Sequence, residues 1–421
     1  MPQSTNRYAY SIVIIGILFF IFGFVTWLNG TLIPFLKLAC DLKTDAQALL
    51  VTFAFYMAYF FLAIPSSYIL KATGFKKGMA WGLVVMAVGA LLFVPAANTR
   101  SFALFLTGLF IQGMGLSLLQ TASNPYISIV GPLESAAKRI SIMGICNKVA
   151  GALSPLILGA VVLRGAGELE AQLVTVTDVV QRTELLDALA HRVILPYSIM
   201  AGVLVLLALM IWFSSLPEID MEEEVSRESP KTSVFQFPHL LLGAWCIFVY
   251  VGAEVMAGDV IGTYGKSLGM SLDETKNFTS YTLWAMVVGY VFGILTIPKY
   301  IRQHRALLYS ALTGIVFSTL AFVTTGYVSI LFIALLGLAN ALMWPAIFPL
   351  AIDGLGTFTK IGSALLIMGI AGGAIVPQVY GYLVSQDGPA LDAPAAFFAC
   401  VVPCYVFILY YAWRGHRVGR S

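Results

Sequence analysis

Two apolar stretches of this chain repeat each other along their whole length: KRISIMGICNKVAGALSPLILG at 138–159 and KIGSALLIMGIAGGAIVPQVYG at 360–381. Among the residues that they share without a gap are Lys138, Ser141, Gly151, Pro155 and Gly159 in the first, which match Lys360, Ser363, Gly373, Pro377 and Gly381 in the second. Glycine and proline recur by chance in apolar helices, but five ungapped matches in one segment are hard to attribute to chance. The pair predicts an internal duplication.

Two further segment pairs support that duplication in nearly the same register. Gln120 and Pro125 correspond to Trp344 and Pro349, and Phe24 and Val25 correspond to Phe248 and Val249 with the same offset. Parallel repeats of six helices are typical of secondary transporters, whose halves rock about a central site. A channel or a receptor would not need such a duplication.

The composition places the chain in a membrane. Of its 421 residues, 59% are hydrophobic and 11% are charged, whereas a soluble domain carries about 25% charged residues. A bilayer crossing needs about 20 mostly apolar residues. We predict crossings at 9–36, 46–71, 77–97, 101–130, 138–163, 192–216, 238–265, 275–299, 306–326, 328–352, 360–385 and 393–413.

The predicted fold is therefore an all-α integral membrane protein with twelve transmembrane helices in two pseudo-symmetric bundles of six. Its domains are an N-terminal bundle (1–216), a solvated acidic linker (217–236) and a C-terminal bundle (237–421). A second polar stretch, 164–191, separates the fifth crossing from the sixth. With cytoplasmic termini, 15 Lys and Arg residues fall on the cytoplasmic side and 8 on the other, so we predict that both termini are cytoplasmic.

Three ionisable residues, Lys148, Glu254 and Asp259, fall in the middle of predicted crossings, where each costs roughly 2.5–3.5 kcal/mol. No Arg accompanies them in any helix centre, and sites for phosphates or carboxylates usually offer Arg or Lys clamps. One cation and two acids therefore favour a neutral solute accompanied by H⁺ or Na⁺. The alternatives are structural: Glu254 is only a structural partner of Lys148, Lys148 neutralises one of the acids without binding the solute, or Asp259 ends its helix near the headgroups.

Amide and indole side chains mark a candidate solute site on repeat-related helices. Sugars are bound by amides, which reach the hydroxyls, and by indole faces, which cover the apolar side of the ring. A single Asn in a helix is usually an interhelical hydrogen bond, but a group of such residues favours a cavity. The predicted substrate-binding residues are Trp27, Asn29, Gln120, Asn124, Asn147, Asn340 and Trp344.

Three of these segments resemble a known family. WLNGTLIP at 27–34, LQTASNPY at 119–126 and YVGAEVMAGD at 250–259 are similar to the fucose permease and glucose-galactose transporter branch of the major facilitator superfamily. The likeness runs along nearly the whole chain. It implies cation-coupled uptake of a monosaccharide across the bacterial inner membrane, and it carries over Asn147 as a polar site residue.

One departure from the fucose permeases bears on coupling. Those permeases carry acids on helices one and four, where this chain has Gly30 and Gln120. In the register that pairs Gln120 with Trp344, Gly30 corresponds to Glu254. We therefore predict that Glu254 or Asp259, with Lys148 beside them, senses the cation, and that a Na⁺ ion would bind at one of these two acids.

The sequence thus predicts a symporter for a neutral hexose, glucose or galactose or both, with N-acetylglucosamine or fucose as alternative substrates. No cofactor is expected beyond the co-transported cation. The expected partners are the sugar, the cation and the lipid bilayer, and the chain is expected to act as a monomer without nucleic acid. An enzyme is not predicted, because the four His are scattered without paired spacing. A membrane sensor that does not transport is the alternative from another class.

Overall fold

The computed structural model describes residues 3–129, 136–216, 233–297, 300–386 and 388–419. The helices of its first half are α1 (Gln3–Thr26), α2 (Asn29–Ala39), α3 (Asp45–Ala48), α4 (Leu50–Thr73), α5 (Phe75–Leu91), α6 (Phe93–Asn98), α7 (Phe102–Ile129), α8 (Ala136–Val162), α9 (Ala166–Thr175), α10 (Val179–His191) and α11 (Ile194–Phe213). Those of its second half are α12 (Pro238–Gly258), α13 (Ile261–Ser267), α14 (Leu272–Thr275), α15 (Phe278–Thr296), α16 (Gln303–Val323), α17 (Gly326–Asn340), α18 (Met343–Ile352), α19 (Thr359–Met368), α20 (Gly372–Val384) and α21 (Ala393–Trp413).

Twelve helical stretches within the described ranges are long and apolar enough to cross a membrane. Their bounds lie within a few residues of most predicted crossings, and the predicted fold class is confirmed. The polar stretch 164–191 folds largely as helices α9 and α10, the second of which leads into the sixth crossing. Most of the predicted linker 217–236 lies outside the described residues, so the bounds of the three predicted domains stay predictions.

Packing within each half forms a bundle, and two seams join the bundles. In the first half, α1 packs on α8, α4 and α5 pack on α7, and α5 packs on α11. In the second half, α12 packs on α20 and α21, α15 packs on α17, and α16 packs on α17 and α21. One seam joins α8 to α15, and the other joins α4 to α19 and α20. The site described below lies between the halves.

Three crossings predicted as continuous are each broken by two non-helical residues, which corrects the predicted spans 9–36, 238–265 and 328–352; the tenth crossing breaks at Ala341 and Leu342, between α17 and α18. The first breaks at Trp27 and Leu28, between α1 and α2, and the seventh breaks between α12 and α13 at Asp259 and Val260. A break in the seventh crossing is tolerable because two hydroxyls from α15 take up backbone carbonyls there. Thr282 donates to the carbonyl of Ala257 at 2.7 Å, and Thr279 donates to the carbonyl of Gly258 at 2.7 Å.

The side of the molecule opposite the two chain ends, which we call the distal face, carries the loops 40–44, 163–178 and 268–271. Here Lys266 of the second bundle pairs with Glu170 of α9 in the first. Gln378 of α20 donates to the carbonyl of Ala46 at 3.5 Å. A cavity of about 430 Å³ beside the Lys266–Glu170 pair is lined by both halves. The two bundles therefore meet at the distal face.

An acidic loop residue of the first bundle strengthens that face. Asp41 accepts hydrogen bonds from Lys43 and from Arg182 of α10, each at 3.0 Å. Partial burial alone would raise the pKa of Asp41, but the hydrogen bonds from Lys43 and Arg182 lower it below its ordinary value. Asp41 is therefore ionised at neutral pH and ties α10 to the loop after α2.

Candidate functional site

A buried ion pair joins the two bundles. The Lys148 ammonium on α8 donates to Glu254 Oε1 on α12 at 2.9 Å. Lys148 is 7% exposed and Glu254 is 8% exposed, so neither charge is solvated by bulk water. An isolated charge at this depth would be costly, whereas a hydrogen-bonded pair offsets much of that cost. The predicted alternative in which Lys148 neutralises one of the acids matches this contact.

Trp27 lies against the same ion pair. The Lys148 ammonium stands 4.6 Å from the centre of the indole ring, within the range of a cation–π interaction. The ring passes between Gly151 of α8 and Gly258 of α12, where a Cβ on either glycine would collide with it. Both glycines are therefore required for the close approach of Trp27. The indole fills the space between a helix of each bundle.

Tyrosines surround the carboxylate of Glu254. Tyr250, one helical turn earlier on α12, and Tyr290 of α15 both lie close enough to interact with it electrostatically. Tyr405 of α21 does so too, and its hydroxyl donates to Asn340 Oδ1 at 2.9 Å. The structure thus links the predicted residue Asn340 to the Glu254 region through Tyr405.

Asp259 occupies the break between α12 and α13, away from the ion pair. It is 1% exposed. The Tyr56 hydroxyl of α4 donates to its Oδ2 at 3.3 Å, and the backbone amide of Gly30 lies beside the carboxyl. Among the described residues its Oδ1 has no hydrogen-bond partner. The predicted alternative of an exposed helix end near the headgroups does not fit this burial.

The remaining predicted site residues divide into three groups. Gln120 donates to the Tyr59 hydroxyl at 3.0 Å, and Asn147 donates to the carbonyl of Phe19 at 3.4 Å, so both already have protein partners. Asn29 is 1% exposed, and within the described part of the chain neither amide atom has a partner. Asn124 and Trp344 are half-buried on α7 and α18, and Trp344 stacks on Phe348 with the ring centres 5.7 Å apart.

Sequence reasoning missed the tyrosines and threonines of this region. Tyr250 lies four residues before Glu254 and so shares its helix face, a signal that the sequence contained. Tyr56 and Tyr59 stand three apart on α4, but nothing in their spacing distinguishes them from packing residues. Thr279 was likewise indistinguishable from an ordinary helix residue until the break in the seventh crossing became visible.

The arrangement offers polar atoms in an otherwise apolar interior. Unpartnered atoms in the described ranges include Trp27 Nε1, Asn29 Oδ1 and Nδ2, and Thr31 Oγ1. Buried polar groups are nearly always hydrogen-bonded, so unpaired ones need an explanation such as a bound molecule. Within the described residues, no group of three or more His, Cys, Asp or Glu is placed to hold a metal ion. The unpartnered atoms of Trp27, Asn29 and Thr31 are those that hydroxyl groups of a bound molecule would satisfy.

The chain is similar to known proteins along nearly its whole length. The family model of the Major Facilitator Superfamily matches residues 15–377. The chain is 34% identical over 418 residues to a glucose/galactose transporter of Brucella abortus, covering 99% of this chain and 96% of that protein. It is 29% identical over 417 residues to the L-fucose-proton symporter of Escherichia coli, covering 96% and 93%. A crystal structure of the E. coli fucose:proton symporter superposes with a TM-score of 0.74 at 27% identity, covering 96% and 98%.

Proposed function

This chain belongs to the Major Facilitator Superfamily, and we propose that it is a symporter that takes up a neutral hexose, glucose or galactose or both, together with H⁺ or Na⁺. Similarity to a glucose/galactose transporter over 99% of the chain supports the substrate class. The similar L-fucose-proton symporter supports cation coupling. The protein acts as a monomer in the bacterial inner membrane. Both of its termini lie in the cytoplasm, an orientation that the Lys and Arg distribution favours.

One observation carries the proposal: Trp27, the Lys148–Glu254 pair and Asn29, whose amide has no partner in the described ranges, are buried where the two bundles face each other. A sugar ring stacked on the Trp27 indole would present its hydroxyls to charged and amide groups. The hydroxyls would then satisfy polar atoms that the protein leaves unpaired. The same bundle interface is where a rocking movement would expose the sugar to either side in turn.

Gln120, Asn124, Asn147, Asn340 and Trp344 remain proposed substrate contacts around this centre. Gln120 and Asn147 each use one amide hydrogen bond on the protein, and a primary amide offers further donor and acceptor capacity. Asn340 uses its oxygen with Tyr405, and its Nδ2 has no partner in the described part of the chain. The amides of Gln120, Asn147 and Asn340 therefore retain capacity for a sugar hydroxyl.

Uptake by proteoliposomes tests the function. Purified protein should accumulate labelled glucose when an inward H⁺ or Na⁺ gradient is imposed, and unlabelled galactose should compete. Mannose, fucose and N-acetylglucosamine complete the competition panel. If N-acetylglucosamine or fucose accumulates and glucose does not, that sugar becomes the assigned substrate. Absence of gradient-driven accumulation of every sugar in the panel would overturn the proposal.

Asn29→Ala is expected to weaken sugar binding without weakening the protein. Its amide has no partner among the described residues. Its removal therefore eliminates a buried, unsatisfied polar group whose desolvation costs about 1–3 kcal/mol of folding free energy. Loss of one or two hydrogen bonds to the sugar should raise Kd roughly tenfold. Binding calorimetry and thermal unfolding in detergent measure the two effects.

Asn340→Ala is the matched control, because it strands the Tyr405 hydroxyl. It should lower the unfolding temperature, whereas Asn29→Ala should leave that temperature unchanged or raise it. An Asn29→Ala protein that is destabilised but binds sugar normally would show that Asn29 is structural.

Glu170→Lys is expected to favour opening of the distal face. It replaces the attraction between Glu170 and Lys266 with repulsion across the bundle interface. An exposed pair is worth about 0.2–1 kcal/mol and is screened by salt, so the open population should rise by a few-fold at low ionic strength. Spin labels at Val174 and Val328, which are exposed on opposite bundles, would report the distance in a cysteine-free background.

Two variants control that measurement. Lys266→Glu added to Glu170→Lys should restore the distance distribution, because it re-forms the pair with reversed charges. Lys276→Gln, which removes a pair with Asp273 inside the second bundle, should leave the distribution unchanged. An unchanged distance distribution in Glu170→Lys would show that the Glu170–Lys266 pair does not help to hold the distal face closed.

A further inference from the structure

The charge balance of the two buried acids differs. Glu254 is paired with the Lys148 ammonium at 2.9 Å, and the two charges cancel. Asp259 makes no ion pair in the described ranges, although it is more deeply buried than Glu254. A buried carboxylate without a cation is so costly that the group binds a proton or a metal ion instead. The unmet requirement for positive charge therefore lies at Asp259.

Within the described residues, the surroundings of Asp259 supply hydrogen-bond donors and oxygen atoms, but the one cation that acts on it, Lys148, is already paired with Glu254. From α4 the Tyr56 hydroxyl reaches Oδ2 at 3.3 Å, and from α2 the Gly30 amide lies beside the carboxyl. The charged groups that act on it are Glu254 of its own helix and Lys148 of α8, which are paired with each other. Its Oδ1 is unpartnered within the described residues.

We propose that Asp259 is the carboxyl that carries the coupled cation, and that Glu254 remains paired with Lys148 and carries none. This inference rests on the proposed symport. It narrows the two candidate acids to one and places the cation at the break of the seventh crossing. There the Gly258 carbonyl and the Thr279 hydroxyl are 2.7 Å apart and could add oxygen ligands if the cation is Na⁺.

The position of Asp259 also explains how the cation would control movement. Asp259 belongs to the second bundle, and its hydrogen-bond partner Tyr56 belongs to the first. Closure of the distal face presses these helices together and removes Asp259 from water. A neutralised carboxyl tolerates this burial and a bare carboxylate does not. Sugar without the cation is therefore held back from crossing.

Asp259→Asn tests the assignment in two assays on the same proteoliposomes. Asn is permanently neutral, so counterflow exchange of labelled sugar should persist within about threefold of wild type. Gradient-driven accumulation should fall to the equilibrium level with either an H⁺ or a Na⁺ gradient. Retained accumulation would overturn the assignment, and so would a folded variant that has lost counterflow. Failure of counterflow in the wild type would instead overturn the proposed function.

A second variant keeps the test decisive if Asp259→Asn does not fold. Tyr56→Phe removes the hydrogen bond to the carboxyl and should shift the cation concentration for half-maximal uptake at least threefold, with counterflow unchanged. An unchanged concentration would overturn the assignment. Glu184→Gln, which neutralises an exposed acid on α10, should match the wild type in both assays. Wild-type titrations with Na⁺ at fixed pH and with pH at fixed Na⁺ identify the ion.

Discussion

Glu254→Gln is expected to abolish counterflow exchange and gradient-driven accumulation together. The change leaves the Lys148 ammonium, which is only 7% exposed, without its counter-charge. Removal of one partner of a buried pair costs about 3–5 kcal/mol, so either the fold weakens or Lys148 moves away from Trp27. In both cases the sugar site between the bundles is lost. Counterflow in proteoliposomes and thermal unfolding in detergent measure the effect.

The double variant Lys148→Met/Glu254→Gln separates the two consequences. Replacing both charges removes the uncompensated ammonium, so much of the lost stability should return. Transport should stay low, because the charged hydrogen-bonding groups are absent from the site. A single Glu254→Gln variant with wild-type stability and wild-type counterflow would show that the pair is dispensable. The expected loss of counterflow in Glu254→Gln distinguishes Glu254 from Asp259, because Asp259→Asn is expected to keep counterflow.

Most of the fold was predictable because hydrophobicity and repetition report on it directly. Lipid requires long apolar helices, so the twelve crossings are visible in composition alone. The repeat between 138–159 and 360–381 marks equivalent places in the two halves: α8 lines the seam with α15, and α19 and α20 line the seam with α4. The helix breaks were less visible: Gly252 and Gly258 permit a break in the seventh crossing, but Trp27–Leu28 lies inside an apolar run that gives no such signal.

Part of the site was predictable from charge. Lys148, Glu254 and Asp259 stand out because ionisable groups are rare in hydrocarbon. The sequence allowed Lys148 to neutralise either acid, because spacing along the seventh crossing cannot show which acid faces α8. The helix break also separates the surroundings of the two acids. Only the coordinates show Glu254 against Lys148 and Asp259 against Tyr56.

The amides show the same limit. Composition alone treats Asn29, Gln120 and Asn147 as equivalent polar residues in apolar helices. Tertiary packing gives Gln120 the Tyr59 hydroxyl and Asn147 the Phe19 carbonyl, and within the described part of the chain it leaves Asn29 with neither. A hydrogen bond across the bundle depends on the partner helix, which a single sequence does not specify.

Gly373→Leu is expected to lower transport at least tenfold by opposing closure of the distal face. Gly373 of α20 lies against α4 of the other bundle, and a Cβ there would stand 3.0 Å from the Tyr56 ring and 2.9 Å from Val255. A leucine must push α4 and α20 apart, and overpacking of this kind costs about 1–3 kcal/mol. A cost of about 1.4 kcal/mol, within this range, already changes a population tenfold, so the closed arrangement becomes the minor state.

Gly202→Leu is the control for that variant, because a Cβ at Gly202 on α11 meets nothing within 4 Å. It should transport at the wild-type rate. Spin labels at Val174 and Val328 should report a longer mean distance in Gly373→Leu than in either the wild type or the control. The displaced Tyr56 would also lose its hydrogen bond to Asp259, so the cation dependence of any residual uptake should shift as well. Wild-type transport with an unchanged distance would show that α4 and α20 need not approach during the cycle, and the closing movement would have to occur elsewhere.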